Sequence, residues 1–102
     1  PYLAFAVMIA AGLDGINKKI DPPAAVNENI FGFTNDEAFN KGVDTLPTSL
    51  DHALHFFKKD AVIKDALGEH TYRMFKAAKD SEWMEYKASV SEWELNKYLE
   101  AY

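Results

Sequence analysis

Between Tyr2 and Ile20 the apolar residues Phe5, Ile9, Leu13, Ile16 and Ile20 recur at spacings of three and four, the period of one helix face. The spacing predicts a helix over 2–20. Leu3, Val7 and Met8 fill the other faces of its first half, and a helix that is apolar all round needs protein on every side. Nothing later in so short a chain is expected to bury it completely, so a missing partner is implied. Gly12 and Gly15 each cost about 1 kcal/mol of helix propensity relative to Ala, and their place inside the pattern points to close approach by a neighbouring element.

Asp21, Pro22 and Pro23 stop that helix, and the aperiodic stretch over 21–33 reads as an irregular surface loop. Thr34 and Glu37 have capping-box spacing and start a short helical turn that closes at Gly42. Thr48 with Asp51 repeats the device more weakly ahead of Leu50, Ala53, Leu54 and Phe57, which share one face of a helix over 49–59. Asp60 caps a further helix over 61–67 that Gly68 closes. The longest amphipathic pattern runs over 69–89. At about 100° per residue, its Tyr72, Phe75, Trp83 and Tyr86, followed by Val90, fall within an arc of about 80°. Lys79 lies inside that arc and is expected to reach solvent with its long stem. Ser91 and Glu94 form a second capping box, flanked by Val90 and Leu95 at the staple positions, and start a helix over 92–101. No window alternates as a half-buried strand would, and no internal repeat is visible. The fold class is therefore all-α, with 1–102 as a single segment.

Composition narrows the function classes. At 102 residues there is room for one small domain, and 48% hydrophobic with 14% aromatic residues argues for a folded chain. Eleven Lys and Arg stand against 16 Asp and Glu, a net charge of -5, with no basic stripe that could follow a phosphate backbone. Nucleic acid is not an expected partner. Residues 1–13 carry no side-chain charge, yet that span is too short to cross a bilayer and no basic region precedes it, so neither a membrane nor a secretory signal is expected. The absence of cysteine excludes disulfides, thiolate zinc sites and cysteine nucleophiles, and a cytoplasmic location fits. A first residue of Pro1 rather than Met leads us to expect a segment of a longer polypeptide.

Candidate chemistry is sparse. His52 and His55 sit three apart on one helix with His70 as the third histidine, but no His-Glu-x-x-His pattern or inward carboxylate completes a zinc site. Exposed or hydrogen-bonded histidines are the simpler expectation. Glu82, Glu85, Glu92 and Glu94 lie among Lys79, Lys87 and Lys97 at helical spacings, which describes a solvated ion-paired face rather than an acid and base pair. No glycine-rich phosphate cradle is present. The aromatic stripe of the long helix is expected to be core. By themselves these residues describe an incomplete helical domain with no catalytic, cofactor-binding or metal residue.

The same residues resemble one family. Pro1-Tyr2-Leu3-Ala4-Phe5-Ala6 and Ala10-Ala11-Gly12-Leu13-Asp14-Gly15-Ile16 look like the helix that opens the final part of type I glutamine synthetases, the bacterial and archaeal class. Leu46-Pro47-Thr48-Ser49-Leu50 with Ala53-Leu54 follows in the family's order. So do Ala66-Leu67-Gly68-Glu69-His70, then Glu82-Trp83 with Tyr86 and Val90, and Trp93-Glu94-Leu95 with Tyr98-Leu99. The resemblance covers the whole chain. It implies the helical C-terminal part of an α+β catalytic domain, in a parent enzyme that makes glutamine from glutamate, ammonia and ATP through γ-glutamyl phosphate. ATP and Mg²⁺ or Mn²⁺ belong to that parent, whose ligand residues lie upstream and have no match here. No cofactor is expected in this segment.

Two site expectations rest on the resemblance. The terminal helix of related enzymes reaches across to the opposite ring of a dodecamer made of two hexameric rings, which marks Leu95, Tyr98, Leu99 and Tyr102 as an inter-subunit docking face. In the regulated subclass a tyrosine in the loop after the first helix accepts an adenylyl group, and Asn29-Ile30-Phe31 matches that loop with Phe31 in its place. Phe31 has no hydroxyl, which favours the subclass without this control. A free-standing all-helical interaction module is the alternative reading.

Overall fold

The first helix, α1, spans Tyr2–Asn17 and stops three residues before the expected end at 20. The backbone closes there as a Schellman motif. The Ile20 amide donates to the Gly15 carbonyl at 3.0 Å and the Lys19 amide to that of Ile16 at 3.1 Å, with Lys19 at a φ of 52°. Glycine is the usual residue at such a left-handed position, and the lysine accepts the strain that glycine would avoid. Lys18 adds an ion pair back to Asp14 at 2.9 Å.

The computed structural model describes residues 1–99, the side chain of Asn35 excepted. Within the stretch read as irregular, Ile30–Gly32 form one turn of 3₁₀ helix, with the Asn29 side chain accepting from the Phe31 amide at 3.2 Å. Helix α2, Asn35–Asn40, carries the expected Thr34 and Glu37 capping box and ends at Gly42, whose φ is 69°. Helix α3, Leu50–Lys59, is capped by Ser49 rather than Thr48, because the Ser49 hydroxyl is the one that accepts from the His52 amide. Asp60 caps α4, Ala61–Leu67, and Gly68 at a φ of 75° turns the chain into α5, Glu69–Ala88. The Ser91 and Glu94 box opens α6, Glu92–Tyr98, shorter than the expected 92–101; residues 100–101 of that expectation lie outside the described residues. Among the described residues there is no strand.

Packing joins α1 to α4, α4 to α5, and α3 to α5. The α3–α5 contact is aromatic: Phe57 stacks on Tyr72 with ring centroids 4.8 Å apart and meets Phe75 at 5.6 Å. Lys58 of α3 also reaches Asp80 of α5 at 2.9 Å, and Lys76 holds the same carboxylate at 2.8 Å. Lys64 ties α4 to the start of α5 through Glu69 at 3.2 Å. Lys79, inside the aromatic arc, lies 5.7 Å from the Phe75 ring centre and turns its ammonium to Glu82 at 2.8 Å.

These contacts do not close a core. Ala38 and Leu54 are the buried apolar residues among those described. The radius of gyration is 18.5 Å, against about 13 Å for a closed domain of this length. The accessible surface is 9014 Å², against about 5,800 Å² for a compact monomer of this mass. The helices are laid out as an open set, and α1 carries its apolar residues into solvent on the side away from α4.

Candidate interaction surfaces

The expected docking face lies on α6. Leu95, Tyr98 and Leu99 are exposed there, Leu99 at 74%, and at about 100° per residue they share an arc of about 100°. Tyr102 lies outside the described residues. Trp93 meets the Tyr98 ring edge to face at 5.9 Å. The capping box that starts α6 is complete: Glu94 accepts from the Ser91 amide at 2.8 Å, and the Ser91 hydroxyl accepts from the Glu94 amide at 3.2 Å. The Ser91 amide holds the Glu94 carboxyl below the usual carboxylate range, with the Ser91 hydroxyl as the second cause.

Phe31 sits at the 3₁₀ turn with 98% of its surface exposed. The loop that presents it is tied to α2 by an ion pair between Lys41 and Glu28, and by the Lys41 ammonium 4.9 Å from the Phe33 ring centre. A phenyl ring offers neither a nucleophile nor a hydrogen-bond donor, so the Phe31 side chain has no atom that could accept an adenylyl group.

The histidines gather no site. His52 and His55 are exposed on α3 with ring centres 5.1 and 5.9 Å from that of Phe56, and His70 is exposed on α5. Among the described residues no three His, Asp or Glu side chains group as metal ligands. Of the acidic residues weighed as an acid and base pair, Glu82 pairs with Lys79, Glu85 accepts from the Ser81 hydroxyl at 3.1 Å and Glu94 closes the α6 cap. Among the described residues no helix is long and apolar enough to cross a membrane.

One feature was not readable from the pattern. Leu3 and Val7 of α1, Phe57 of α3, Ile63 and Leu67 of α4 and Phe75 of α5 line an open apolar groove of about 530 Å³. Leu3, Val7, Phe57 and Phe75 were expected on apolar helix faces, and Ile63 and Leu67 within the helix over 61–67. That four separate helices bring them to one cleft depends on crossing geometry, which periodicity does not contain.

The glutamine synthetase catalytic domain matches residues 1–98. The chain is 52% identical to the glutamine synthetase of Halobacterium salinarum over 102 residues, all of this chain and 22% of that protein. It is 49% identical to that of Thermotoga maritima over 98 residues, 96% of this chain and 22% of that protein. Against the glutamine synthetase of Thermus thermophilus it is 47% identical over 102 residues, all of this chain and 23% of that protein. The chain thus spans less than a quarter of the length of these relatives.

Proposed function

The chain belongs to the glutamine synthetase catalytic-domain family, and from that premise we propose that it is the helical C-terminal part of a type I enzyme subunit. The parent enzyme joins ammonia to glutamate at the expense of ATP, by way of γ-glutamyl phosphate, in the cytoplasm. The observation that carries this reading is the match along 98 of 102 residues to a family whose cited members are more than four times longer. That match also weighs against a free-standing interaction module.

ATP and Mg²⁺ or Mn²⁺ serve the parent, where the metal neutralises charge as the phosphoryl group moves. The donor set here does not fit that metal site: no ligand group of three forms among the described residues, and no phosphate-binding glycine pattern occurs. The role of this segment is structural. Helices α3 to α5 brace one another, and the C-terminal stretch, with Leu95, Tyr98, Leu99 and Tyr102, docks on a subunit of the opposite ring of a dodecamer. Phe31 fills the place of the modifiable tyrosine, so the enzyme falls in the subclass without adenylylation.

The test compares the full-length protein with the 102-residue chain in an ATP-dependent and metal-dependent glutamine-forming assay. Activity is expected in the first and none in the second. An inactive full-length protein removes the proposed function, and γ-glutamyl transfer by the chain alone removes the assignment of a purely structural role.

A further inference from the structure

We propose that Lys41 is a charge-operated clasp: its ammonium holds the 21–33 loop, which presents Phe31, against the end of α2, and the loop loosens as salt rises. Among the described residues, the hydrogen bonds within that loop run over two or three positions. The Asn29 side chain accepts from the Phe31 amide at 3.2 Å, and the Ile30 carbonyl from the Phe33 amide at 3.2 Å. Residues 21–32 are all exposed and Phe33 is half-buried, so no core grips 21–32. Lys41 supplies the ties that leave the loop, an ion pair with Glu28 across 13 positions of sequence and an approach of 4.9 Å to the Phe33 ring centre. The clasp is local to 28–41 and stands whichever activity the full-length protein has.

The backbone fixes where Lys41 stands. It is the C-cap of α2, where its amide donates to the Glu37 and Ala38 carbonyls and Gly42, at a φ of 69°, turns the chain away. A cation is favoured at that end of a helix. The ordinary partner of Lys41 on its own helix, Glu37 four residues back, is occupied: that carboxylate accepts from the Thr34 amide at 2.7 Å and the Thr34 hydroxyl at 3.1 Å to make the α2 cap. The Lys41 ammonium is thereby left to reach back over the loop. Both members of the Glu28 pair are open to water, 39% of the Lys41 side chain and 60% of that of Glu28. Exposed ion pairs and exposed cation–ring contacts are individually weak, and salt screens the former. With burial supplying nothing over 21–32, that weakness makes the attachment of the loop reversible.

Chymotrypsin reads the clasp, because it cuts after Phe on extended backbone and recognises neither Lys41 nor Glu28. Where the loop opens and closes faster than it is cut, the rate of cleavage after Phe31 or Phe33 follows the fraction of loops unfastened. The full-length protein is digested alongside Lys41→Met, Glu28→Gln, Lys41→Glu and the exchange of Lys41→Glu with Glu28→Lys, and mass spectrometry places each cut. At low salt Lys41→Met should raise the loop cut about fivefold and Glu28→Gln about threefold, with cuts elsewhere unchanged. The exchange should be cut more slowly than Lys41→Glu, because it restores an ion pair of reversed sense. Raising salt from about 0.05 to about 0.5 M should speed the loop cut in the parent and leave Lys41→Met as it was, each rate being corrected with a short Phe-containing peptide. An unchanged rate in either charge removal, an exchange cut as fast as Lys41→Glu, or a parent as indifferent to salt as Lys41→Met overturns the proposal. So does a rise in cutting spread over the whole protein, since Lys41 then serves general stability.

Discussion

Phe57 of α3 lies on Tyr72 of α5 with their ring planes 22° apart, and this stack is the contact through which the two helices hold each other. It works together with Phe75 on the next turn of α5 and with the ion pair from Lys58 to Asp80. Removing the ring leaves both helices with an apolar gap that the open arrangement cannot fill by collapse. Phe57→Ala is expected to destabilise the full-length enzyme by about 2 kcal/mol, below the value for a fully enclosed Phe because the ring is only half-buried. Phe57→Leu should cost less. Thermal-inactivation half-lives of the two variants check this, and a half-life for Phe57→Ala equal to that of the parent refutes it.

Asp80 makes the α3–α5 contact sensitive to acid. Its carboxyl is held below the usual range by hydrogen bonds from Lys76 first and Lys58 second, and the pairing raises Lys76 above its ordinary value. A carboxyl whose pKa is lower folded than unfolded contributes stability that is complete above the unfolded value, about 3.9 for Asp. That contribution fades as pH falls below the unfolded value and is gone below the folded one. The melting temperature of the parent should therefore exceed that of Asp80→Asn at pH 7, with the gap closing as pH falls through 4 toward 3. A gap that is constant over that range contradicts the assignment.

Docking by α6 predicts a change in mass rather than in chemistry. A helix this short is marginal alone, and burying a Leu is worth roughly 1.5–3 kcal/mol. Removal of Trp93 to Tyr102 from the full-length enzyme should convert dodecamers to single rings whose metal and ATP sites remain intact. Light scattering at dilute concentration reads the result, and an unchanged dodecamer mass rules the docking role out. Leu99→Asp should act in the same direction.

The cap of α6 allows a finer test. Ser91→Ala removes the oxygen that accepts from the Glu94 amide, a loss of about 1 kcal/mol at a helix start. If α6 must be helical to dock, this variant should shift the equilibrium between dodecamers and rings toward rings at low protein concentration. Ser91→Asp, which keeps an acceptor at the cap, should retain the parent behaviour.

Phe31 leads to an expectation about modification. After incubation with an adenylyltransferase and ATP, the peptide containing Phe31 should keep its unmodified mass. Phe31→Tyr should fold and act as the parent does, because the exposed ring contributes little to stability. An adenylyl group found on the unaltered loop contradicts the subclass assignment.

Local chemistry made most of the elements legible. Asp60 and Gly68 bound α4 as expected, and both capping boxes formed, because a cap is decided by a few side-chain oxygens and amides adjacent in the chain. The ends of α1 and α2 mark the limit of that rule. Both close as Schellman motifs, with the Val43 amide on the Ala38 carbonyl at 2.9 Å in α2 and that of Ile20 on Gly15 in α1. Gly42 announced the first, since glycine takes a positive φ without strain, while Lys19 gave no such signal for the second.

The amino-acid sequence by itself determined the helices, most of their caps, the lack of a charge on α1 before Asp14, and the family. It also determined that α1 needs more protein than this chain holds, because a continuous apolar surface has to be covered whatever its neighbours are. Only the tertiary structure decided which side of α1 faces α4, that Phe57 meets Tyr72, and that Lys58 and Lys76 share Asp80. It alone gathered four helices around one apolar groove. Those outcomes depend on crossing angles and on contacts between residues distant in sequence, whereas helical periodicity states that a face is apolar without stating what it meets.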